Sequence, residues 1–431
     1  MNRRDFLKDA ASSSLTLAMA MGAIELKAEQ QKPEEKPKTP PISCAVIGLG
    51  PQGRKTLGAL AKMGAASAPV VALCDTFEAP AFLKKAQDIA PNAQVHQDYR
   101  KVLDDKSVQA VFVATPSHKH KQIVLDALAA GKHVYCEAPL AVDLAEAKEI
   151  AKAALNAKSF FQAGLQARYN MQAHHVHKFV HAGSLGQITS GRAQYHERTS
   201  WRMGWPSQER ERELNWRLSK ESSLGLLGEI GIHQMNTVNW FLDGLPTAVS
   251  GFSSLMAYND GRDVPDTVQC IFEYPKNVRY SYDATLTNSF DGAYEMFFGT
   301  SAAIQLRDLR AWMFMETDAK LEGWVVFARK DDIVIGDDKA GTGIKTATGI
   351  ALVADATKQL ALGKSPKDVG TDVSKSALFQ AVDAFLDSIR QNKKPEVGAV
   401  EGYQATVVAA KANEAALSGS RIVYQKEWFE L

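Results

Sequence analysis

Four side chains that could take part in chemistry recur at helical spacing in "GLLGEIGIHQMNTVNW", residues 225–240. Glu229, His233, Asn236 and Trp240 stand at i, i+4, i+7 and i+11, which places them on one face of a helix. An imidazole next to a carboxylate suits proton transfer to and from a hydroxyl group. The same spacing fits an exposed helix face with an incidental ion pair. Spacing alone therefore leaves two interpretations, a proton-transfer pair and a solvated surface.

A second stretch, "CAVIGLGPQG" at residues 44–53, joins a short apolar run to the pattern G-x-G-x-x-G. In this pattern Gly48 permits a tight turn, Gly50 lets the backbone approach a pyrophosphate, and Gly53 lets helix and strand pack closely. The helix that follows would direct its free N–H groups and the positive end of its dipole at the phosphates. The stretch therefore predicts a dinucleotide site.

Asp75 ends the next apolar run, "PVVALCD", 22 residues after Gly53. Its carboxylate is placed to accept hydrogen bonds from ribose hydroxyls, and its charge would repel a 2′-phosphate. NAD is therefore predicted as the cofactor in preference to NADP. Thr115 and Pro116, at the carboxyl end of the following strand, and "CEAPL" at 136–140 stand where open parallel sheets bind ligands.

The elements that must position these residues alternate strand and helix from Ile42 to about residue 165. Near-continuous apolar strands such as "VQAVFVATP", 108–116, are typical of a parallel sheet covered on both faces. After about residue 185 the strands are longer, alternate in polarity and are rich in aromatic residues, which favours antiparallel pairing. We predict an α/β fold with an N-terminal Rossmann parallel sheet, 42–165, and a C-terminal α/β domain, 166–431, whose open sheet is mostly antiparallel.

The N-terminus carries an export pattern. "NRRDFLK" at 2–8 is a twin-arginine motif, and the apolar run that follows, to Ile24, is too weak for a membrane span. We predict a twin-arginine signal over 1–28, a charged and proline-rich linker over 29–41, and a periplasmic location. The net charge of +1 gives no electrostatic reason for nucleic-acid binding. Four cysteines without a C-x-x-C pair predict buried small hydrophobes and no metal site.

At these blocks the chain resembles the Gfo/Idh/MocA oxidoreductase family. "AVIGLGPQG", "VATPSHKH", "VYCEAPLA", "GLQARYN" and "GEIGIHQMN" occur in that family's order, and the likeness runs from about residue 42 to the end. Members mostly oxidise or reduce sugars, inositols and related polyols with NAD(P). The resemblance implies the two-domain fold above, and a homo-oligomer, a dimer or tetramer, formed through the open sheet.

The resemblance also implies site residues. The adenosine diphosphate half of NAD would be held by Gly48, Leu49, Gly50, Gln52, Gly53 and Asp75. The nicotinamide half would be bordered by Thr115, Pro116, His120, Glu137, Ala138 and Gln166. His233 matches the family's histidine that acts as acid and base on the reacting hydroxyl. Glu229 stands where an aspartate is usual, and we expect it to orient and polarise His233.

One position departs from the family. Its strand-end motif is usually E-K-P, with a lysine that assists proton removal, whereas this chain has Ala138, which cannot relay a proton. Lys220 is a candidate replacement. Aromatic faces stack on sugar rings and arginine pairs with hydroxyl groups. Substrate contacts are therefore expected from Arg168, Tyr195, Arg202, Trp205, Trp216 and Asn236.

Export limits the chemistry, because the periplasm offers no free nicotinamide pool. A chain that needs NAD there should hold it tightly and restore it within each cycle. We therefore predict an exported NAD-dependent oxidoreductase that acts on a sugar or sugar derivative by hydride transfer. Two alternatives stay open. One is an NAD-dependent glycoside hydrolase that works through a transient 3-keto sugar, which the missing lysine favours. The other is a non-catalytic sugar-binding protein on a dehydrogenase scaffold.

Overall fold

The computed structural model describes residues 40–77, 80–204, 207–307, 310–320, 330–335, 344–353, 359, 362–364 and 375–431. The predicted signal, 1–28, the linker up to residue 39, and Trp205 lie outside the described residues. Within the described ranges, no helix has both the length and the apolar character needed to cross a membrane. The same ranges contain no group of three or more His, Cys, Asp or Glu side chains arranged to hold a metal ion.

Six parallel strands form the first sheet of the described chain, in the order β3-β2-β1-β4-β5-β6. They are β1 (Cys44–Ile47), β2 (Val70–Cys74), β3 (Gln94–His96), β4 (Ala110–Val113), β5 (His133–Cys136) and β6 (Phe161–Ala163). This is the Rossmann order. The central strands β1 and β4 are buried along their whole length, because helices cover both faces of the sheet. The predicted strand–helix alternation is confirmed.

The helices of this first part follow the strands. They are α1 (Pro51–Met63), α2 (Pro80–Gln87), α3 (Tyr99–Asp104), α4 (His120–Ala129) and α5 (Leu144–Asn156), with short 3-10 turns at Ser117–Lys119 and Gln166–Tyr169. Local sequence explains where they start. Pro51 suits the first position of α1, and the Asp143 side chain accepts hydrogen bonds from the first N–H groups of α5.

The second sheet has ten strands in the described part, ordered β14-β15-β13-β12-β11-β7-β10-β9-β8-β16. The strands are β7 (Ile188–His196), β8 (Ala248–Ser254), β9 (Thr267–Glu273), β10 (Arg279–Thr285), β11 (Ala293–Gly299), β12 (Ala302–Arg307), β13 (Arg310–Glu316), β14 (Lys330–Ile335), β15 (Ile344–Leu352) and β16 (Ile422–Val423). Only β7 and β10 pair in parallel among these described strands. The mostly antiparallel sheet predicted from sequence is confirmed.

The second sheet is covered on one face. Along β9, buried Val268, Cys270 and Phe272 alternate with exposed Gln269 and Ile271. The described helices of this half of the chain are α6 (Met171–His181), α7 (Gln208–Leu214), α8 (Ile232–Phe241), α9 (Ala377–Arg390) and α10 (Ala399–Ser418). Of these, α6, α8 and α10 pack into the core on the inner face of the second sheet. Further 3-10 turns lie at Trp216–Leu218, Pro275–Asn277 and Lys426–Phe429, and a π-type turn at Leu227–Gly231 leads into α8.

The last two helices return to the first sheet. The Phe385 ring of α9 packs 5.6 Å from Phe112 and 5.9 Å from Tyr135, both on the parallel strands. In α10, Tyr403 joins the core of the first sheet, whereas Val408 joins the core of the second. The domain boundary at residue 165 stays a prediction. The helices beyond residue 376 serve the cores of both sheets.

Candidate active site

A cleft of about 2040 Å³ lies between the carboxyl ends of the parallel strands and the inner face of the second sheet. This is where open α/β sheets bind ligands. The predicted site residues that line it are Gly48, Gly50, Gln52, Asp75, Thr115, Pro116, His120, Glu137, Ala138, Gln166, Tyr195, Arg202, Trp216, Glu229 and His233. One cavity therefore contains the dinucleotide turn and the histidine that were identified separately in the sequence.

Three glycines shape the turn between β1 and α1. Gly48 has φ +94°, and a Cβ there would lie 2.6 Å from the carbonyl of Ala114. A Cβ at Gly53 would overlap the carbonyl oxygen of Gly48, so these two glycines are required by the protein's own packing. Gly50 differs, because a Cβ there would meet nothing within 4 Å. The bare backbone at Gly50 faces open cleft, as close approach of a phosphate requires.

Asp75 is held in a fixed orientation at the end of β2. Its Oδ2 accepts a 2.7 Å hydrogen bond from the N–H of Leu49, and Oδ1 accepts one of 2.8 Å from the N–H of Phe77. Burial raises the pKa of Asp75, and the two N–H donors oppose that rise. Leu49 itself is buried beneath the turn and contributes its backbone. The remaining lone pairs of the Asp75 carboxylate face the cleft, where they can accept from ribose hydroxyls.

Glu137 follows β5 on the other side of the turn. Its Oε1 accepts a 2.9 Å hydrogen bond from Nε2 of Gln52, and Gln166 provides a further hydrogen bond. Burial raises the pKa of Glu137 to about 7 in spite of these donors. A Cβ at Gly164 would lie 2.5 Å from Oε2, so that glycine makes room for the carboxylate. Glu137 is therefore a buried carboxyl that changes protonation near neutral pH.

His120 has a different environment from that of a free cleft residue. It is 1% exposed, and its ring nitrogens lie 3.0 Å from the carbonyl oxygens of Thr115 and Pro139. The imidazole thereby ties the loop after β4 to the loop after β5. Its role in the geometry is to fix two walls of the cleft.

The dinucleotide end of the cleft fits NAD. The free N–H groups at the start of α1 and the open space at Gly50 suit the pyrophosphate, and Asp75 suits an unphosphorylated ribose. Gln52, expected at the adenosine diphosphate half, hydrogen-bonds Glu137 together with Gln166, so it lies beside residues expected at the nicotinamide half. When bound, NAD supplies a hydride acceptor at its nicotinamide ring.

The helix that carries His233 contains a π-type turn. Sequence periodicity predicts one continuous helix from about Leu226 to Leu242. The structure widens the turn over Leu227–Gly231 before α8 begins at Ile232. A π turn adds a residue to the turn and rotates the residues before it relative to those after it. Glu229 and His233 therefore do not keep the i, i+4 relation of an α-helix.

The expectation that Glu229 orients His233 needs correction. The buried Glu229 Oε1 accepts hydrogen bonds from Ser117 Oγ at 3.3 Å and Ser223 Oγ at 3.1 Å, and Oε2 lies 3.4 Å from Nε of Arg217. Burial raises the pKa of Glu229, and the charge of Arg217 opposes that rise. The rotation at the π turn directs this carboxylate toward Arg217 instead of the imidazole.

His233 has free ring nitrogens. Among the described residues neither nitrogen has a hydrogen-bond partner, and the contact at this residue is its backbone oxygen, which accepts from Thr237 Oγ1. Burial lowers the pKa of His233 to about 4, so the imidazole is neutral at neutral pH. A neutral imidazole in a cleft can accept a proton from a bound hydroxyl group.

Five predicted residues do not line the cleft, and the first of them is Leu49, which is buried beneath the turn. Asn236 is buried in α8, with its Nδ2 unpartnered among the described residues. The Arg168 guanidinium lies 4.8 Å from the ring centroid of Trp240, which also stacks on His177. Gly53 is fixed by packing under the turn. Lys220, the candidate replacement lysine, donates its N–H to Asp263 and does not line the cleft.

The remaining predicted substrate residues lie in the cleft wall. The Tyr195 hydroxyl donates a 2.7 Å hydrogen bond to Glu197. Arg202 donates from Nε to Asp260 and from Nη1 to Glu211, each at 2.8 Å. The Arg202 guanidinium is therefore bound by two carboxylates. Trp216 presents its ring beside the guanidinium of Arg217 at 4.8 Å.

Arg217 and Glu295 are charged residues of the cleft that were not identified from the sequence. Arg217 lies in a 3-10 turn with no periodic pattern, so no sequence signal marks it. Glu295 lines the cleft from β11, where its cross-strand partners are Ala193 and Leu306. Burial raises the pKa of Glu295 to about 7. The sequence feature that could have identified Glu295 is a charged residue at an inward-facing position of a strand whose side chains alternate between two faces.

Two sequence profiles match the chain. One, described as "Oxidoreductase family, NAD-binding Rossmann fold", matches residues 42–165, and the other, described as "GFO/IDH/MocA C-terminal domain", matches residues 173–305. The chain belongs to the Gfo/Idh/MocA family of oxidoreductases. The predicted NAD-binding Rossmann domain and its C-terminal partner are thereby confirmed at the level of the family.

Characterised Gfo/Idh/MocA proteins are distant in sequence. The chain is 24% identical to 2,7-anhydro-N-acetylneuraminate hydratase of Escherichia coli over 74% of this chain and 81% of that protein. It is 31% identical to inositol 2-dehydrogenase of Salmonella typhimurium over 34% of this chain and 43% of that protein. It is 30% identical to levoglucosan dehydrogenase of Pseudarthrobacter phenanthrenivorans over 34% of this chain and 36% of that protein. The last two matches span less than half of each relative.

Solved Gfo/Idh/MocA structures share the fold. Levoglucosan dehydrogenase in complex with NADH and levoglucosan superposes with a TM-score of 0.69 at 20% identity, covering 89% of this chain and 100% of that one. Aldose-aldose oxidoreductase from Caulobacter crescentus superposes with a TM-score of 0.64 at 18% identity, again over 89% and 100%. At these identities the likeness establishes architecture.

Proposed function

We propose that the protein is an exported NAD-dependent oxidoreductase that acts on a sugar or sugar derivative by hydride transfer and keeps its cofactor bound. One observation carries this proposal: a single cleft joins the open backbone at Gly50 and the carboxylate of Asp75 to the unpartnered imidazole of His233. A dinucleotide held at one end and a proton acceptor at the other are the two parts that alcohol oxidation requires.

The imidazole has the properties of a general base. It is neutral at neutral pH, reaches the cleft, and competes with no protein partner for the substrate proton. His233 would take the hydroxyl proton of the sugar as the carbon is oxidised, and return it in the reverse direction. General acid–base catalysis of this kind contributes about 10²–10⁴-fold to a rate.

The cleft wall suits a carbohydrate. Trp216 and Trp201 flank the guanidinium of Arg217, at 4.8 and 5.9 Å from their ring centroids. Indole faces bind the apolar C–H faces of sugar rings, whereas arginine binds the hydroxyls at their edges. Two relatives, levoglucosan dehydrogenase and inositol 2-dehydrogenase, are named for an anhydrosugar and a cyclic polyol. Their names favour the same substrate class here.

A segment that we call the strap, residues 207–218, supports tight retention of the cofactor. From the strap, Glu213 Oε1 accepts a 2.8 Å hydrogen bond from Thr76, and the guanidinium of Arg210 lies 5.3 Å from the ring of Phe77. Thr76 and Phe77 directly follow Asp75. The strap therefore bridges to the loop of the ribose end, and a nucleotide bound there would leave only after these contacts break.

The location and assembly belong to the same proposal. Export follows from the twin-arginine motif at Arg3 and Arg4, and retention of NAD is what an enzyme outside the cytoplasm needs. We also propose a homo-oligomer through the open face of the second sheet. Phe252 and Ile271, on neighbouring strands, are 71% and 53% exposed there, and such apolar exposure favours a protein contact.

Cofactor release and sugar turnover test the central proposal. Protein purified without added nucleotide is denatured with acid, and the supernatant is assayed for NAD. We expect about one NAD per chain, and reduction of that NAD when a substrate sugar from a panel is added. His233→Ala should retain NAD and lose roughly 10²–10⁴-fold in turnover. Unchanged turnover in His233→Ala would remove the histidine from the mechanism, and His181→Ala, on the exposed end of α6, is the matched control.

The NAD-dependent glycoside hydrolase remains the second candidate because the position after Glu137 is Ala138, which has no proton-transfer group. Nitrophenyl glycosides separate the two enzymes. Release of nitrophenol without added cofactor would indicate the hydrolase, whereas interconversion of two free sugars without dye release indicates the oxidoreductase. Absence of NAD in the acid supernatant would favour the third reading, a non-catalytic sugar-binding protein.

Export is tested separately. Replacing Arg3 and Arg4 together with lysine should keep the protein in the cytoplasm of a host with twin-arginine transport, as measured by cell fractionation. Periplasmic recovery of that double variant would contradict the proposed signal and leave the assignment of the cleft unaffected.

A further inference from the structure

Arg217 is held in the cleft by a built support. Its Nε lies 3.4 Å from Oε2 of Glu229, a side chain that is 4% exposed, and the guanidinium plane lies over Trp216. The supporting carboxylate is itself fixed by the hydroxyls of Ser117 and Ser223. The fold therefore presents a cation at a defined place, instead of leaving a long side chain free in solvent.

The outer part of this guanidinium is available. Only Nε contacts Glu229, and neither terminal amine of Arg217 has a hydrogen-bond partner within the ranges that the structure describes. Its side chain is 39% exposed, toward the cleft that it lines. Arg202 is the useful contrast, because Asp260 and Glu211 already occupy that guanidinium. Arg217 can bind a ligand without giving up a protein contact.

The position of Arg217 is central. Burial raises the pKa of Glu137, Glu229 and Tyr195, and in each case the positive charge of Arg217 opposes the rise. These groups belong to the nicotinamide side, the helix of His233 and the second sheet, respectively. Arg217 lines the same cleft as Glu137, Tyr195 and His233, and the effect of its charge on Glu137 and Tyr195 agrees with that position, because electrostatic interaction falls with distance. That is where a substrate between cofactor and imidazole would lie.

Resting on the proposed function, we propose that Arg217 binds the oxygen atom of the substrate that is oxidised, and that Glu229 is a positioning residue that acts through Arg217. In the oxidation, NAD held at Gly50 and Asp75 would supply the acceptor for the C–H hydrogen and its bonding pair, and the O–H proton would pass to a ring nitrogen of His233. The O–H bonding pair becomes the second C–O bond. Arg217 stays protonated throughout and stabilises the negative charge that develops on this oxygen.

In this role, Arg217 would compensate for the absence of a lysine at position 138. A lysine amine could move a proton and also attract the oxygen. Ala138 does neither, and Lys220 does not line the cleft. In the proposed arrangement the two tasks are divided. His233 moves the proton, and Arg217 supplies the fixed positive charge.

Chemical rescue provides the test. Arg217→Ala should retain bound NAD, measured by acid release, and lose roughly 10²–10³-fold in kcat for the best sugar of the panel, the loss typical of removing one oxyanion donor. Guanidinium chloride, below its denaturing range, should restore part of this rate to Arg217→Ala by occupying the emptied space. The same salt should restore nothing to His233→Ala. Arg198→Ala, an exposed arginine that does not line the cleft, is the matched control with unchanged rate.

Glu229→Gln tests the positioning role. Its amide keeps a hydrogen-bonding side chain for Ser117 and Ser223 but removes the charge that anchors Arg217. We expect kcat to fall at least tenfold, by about 1.4 kcal/mol of transition-state stabilisation, with little change in KM, thermal stability or NAD content. A loss of stability with kcat preserved in the folded fraction would make Glu229 merely structural.

Three outcomes distinguish the role of Arg217 from the proposed function of the whole protein. If wild-type protein reduces its bound NAD on addition of sugar and Arg217→Ala does so at the same rate, Arg217 does not bind the reacting oxygen. If the loss in Arg217→Ala is confined to KM for sugars that carry a carboxylate, Arg217 binds that group and the inference is overturned. If wild-type protein carries NAD that no sugar reduces, the proposed function and the inference both fall.

Discussion

Gly50 and Gly58 are two glycines of similar surroundings, of which we expect only Gly50 to be needed for cofactor binding. Neither would bring a new Cβ within 4 Å of another protein atom, and both belong to the turn and helix α1. Gly50 faces the cleft at the helix start, with φ −58°, which alanine can adopt. The open space at Gly50 therefore has meaning only if a ligand fills it.

The pair gives a direct prediction. Gly50→Ala should cost less than about 1 kcal/mol of unfolding free energy, but the NAD content of the purified protein should fall sharply because the methyl group occupies the approach to the pyrophosphate. Gly58→Ala should gain about 0.5–1 kcal/mol through helix propensity and retain NAD. Thermal unfolding and acid release of NAD measure both. Full NAD content in Gly50→Ala would contradict the assignment of this turn.

Glu137 predicts a pH dependence of stability. Its pKa rises from 4.5 to about 7 in the folded state through burial. A carboxyl whose folded pKa is raised stabilises the fold fully below the unfolded pKa, and this contribution is lost as pH increases through the folded pKa. Between pH 4.5 and 7, Glu137→Gln should therefore gain on wild type by about 3 kcal/mol, from roughly 1.4 kcal/mol per unit of pKa. Denaturant titrations at pH 4.5 and 8 measure the difference, and an equal gap at both would refute it.

At the residue scale, the sequence reveals residues whose spacing belongs to a motif. It does not reveal residues whose role depends on a contact that forms only in the folded protein. Gly48, Gly50 and Asp75 carry a spacing that backbone geometry demands. Arg217 has no such spacing, and it matters only because Glu229 turns toward it. Periodicity also placed Asn236 on the face of His233, and both residues lie in α8 beyond the π turn, but core packing buries the Asn236 side chain.

The π turn shows what limits prediction at the element scale. Hydrophobic periodicity fixes the existence of a helix but does not reveal one extra residue in a turn. Here packing decides the matter. A Cβ at Gly231 would lie 3.2 Å from the ring of Tyr282, and one at Gly228 would overlap Leu224. Gly231 lets the widened turn lie against Tyr282 of the second sheet, and Gly228 leaves room for the side chain of Leu224.

The strap yields an element-scale prediction. Combining Arg210→Ala with Glu213→Ala removes its contacts with Phe77 and Thr76. We expect NAD to dissociate at least tenfold faster, which corresponds to about 1.4 kcal/mol, with little change in thermal stability because the Arg210 and Glu213 side chains are 30% and 42% exposed. Release is followed by trapping free NAD with a coupled dehydrogenase. The pair Lys411 and Glu414 has the same i,i+3 spacing far along α10, and neutralising Glu414 should leave the release rate unchanged.

At the scale of the whole molecule, both sheets could be predicted because each strand class has its own polarity pattern. The destination of the last helices could not. The apolar positions of α9 were visible in the sequence, since Leu378, Val382 and Phe385 recur at helical spacing. A stripe shows that a face is buried but not which sheet buries it. In the structure α9 lies on the parallel sheet, more than 200 residues away along the chain.

Because Phe385 joins a late helix to the first sheet, we predict that the two sheets unfold together. It is fully buried between Phe112 and Tyr135. Phe385→Ala should destabilise the protein by about 3–5 kcal/mol through lost burial and a residual cavity. Tryptophan fluorescence, which reports mainly on the second half of the chain, and far-ultraviolet circular dichroism should shift to lower denaturant together. Separate transitions would show that the first sheet unfolds alone.

The return of α9 sets an order of events during synthesis. The ribosome completes β6 at Ala163 but delivers Ala377 only 214 residues later, which at about 5–20 residues per second takes about 10–40 s. Throughout that interval the nascent parallel sheet lacks the aromatic plug that covers one of its faces. A premature stop codon shortly before Ala377 would leave this apolar surface permanently uncovered. Such a product should bind chaperones and aggregate, although every glycine of its nucleotide turn is present.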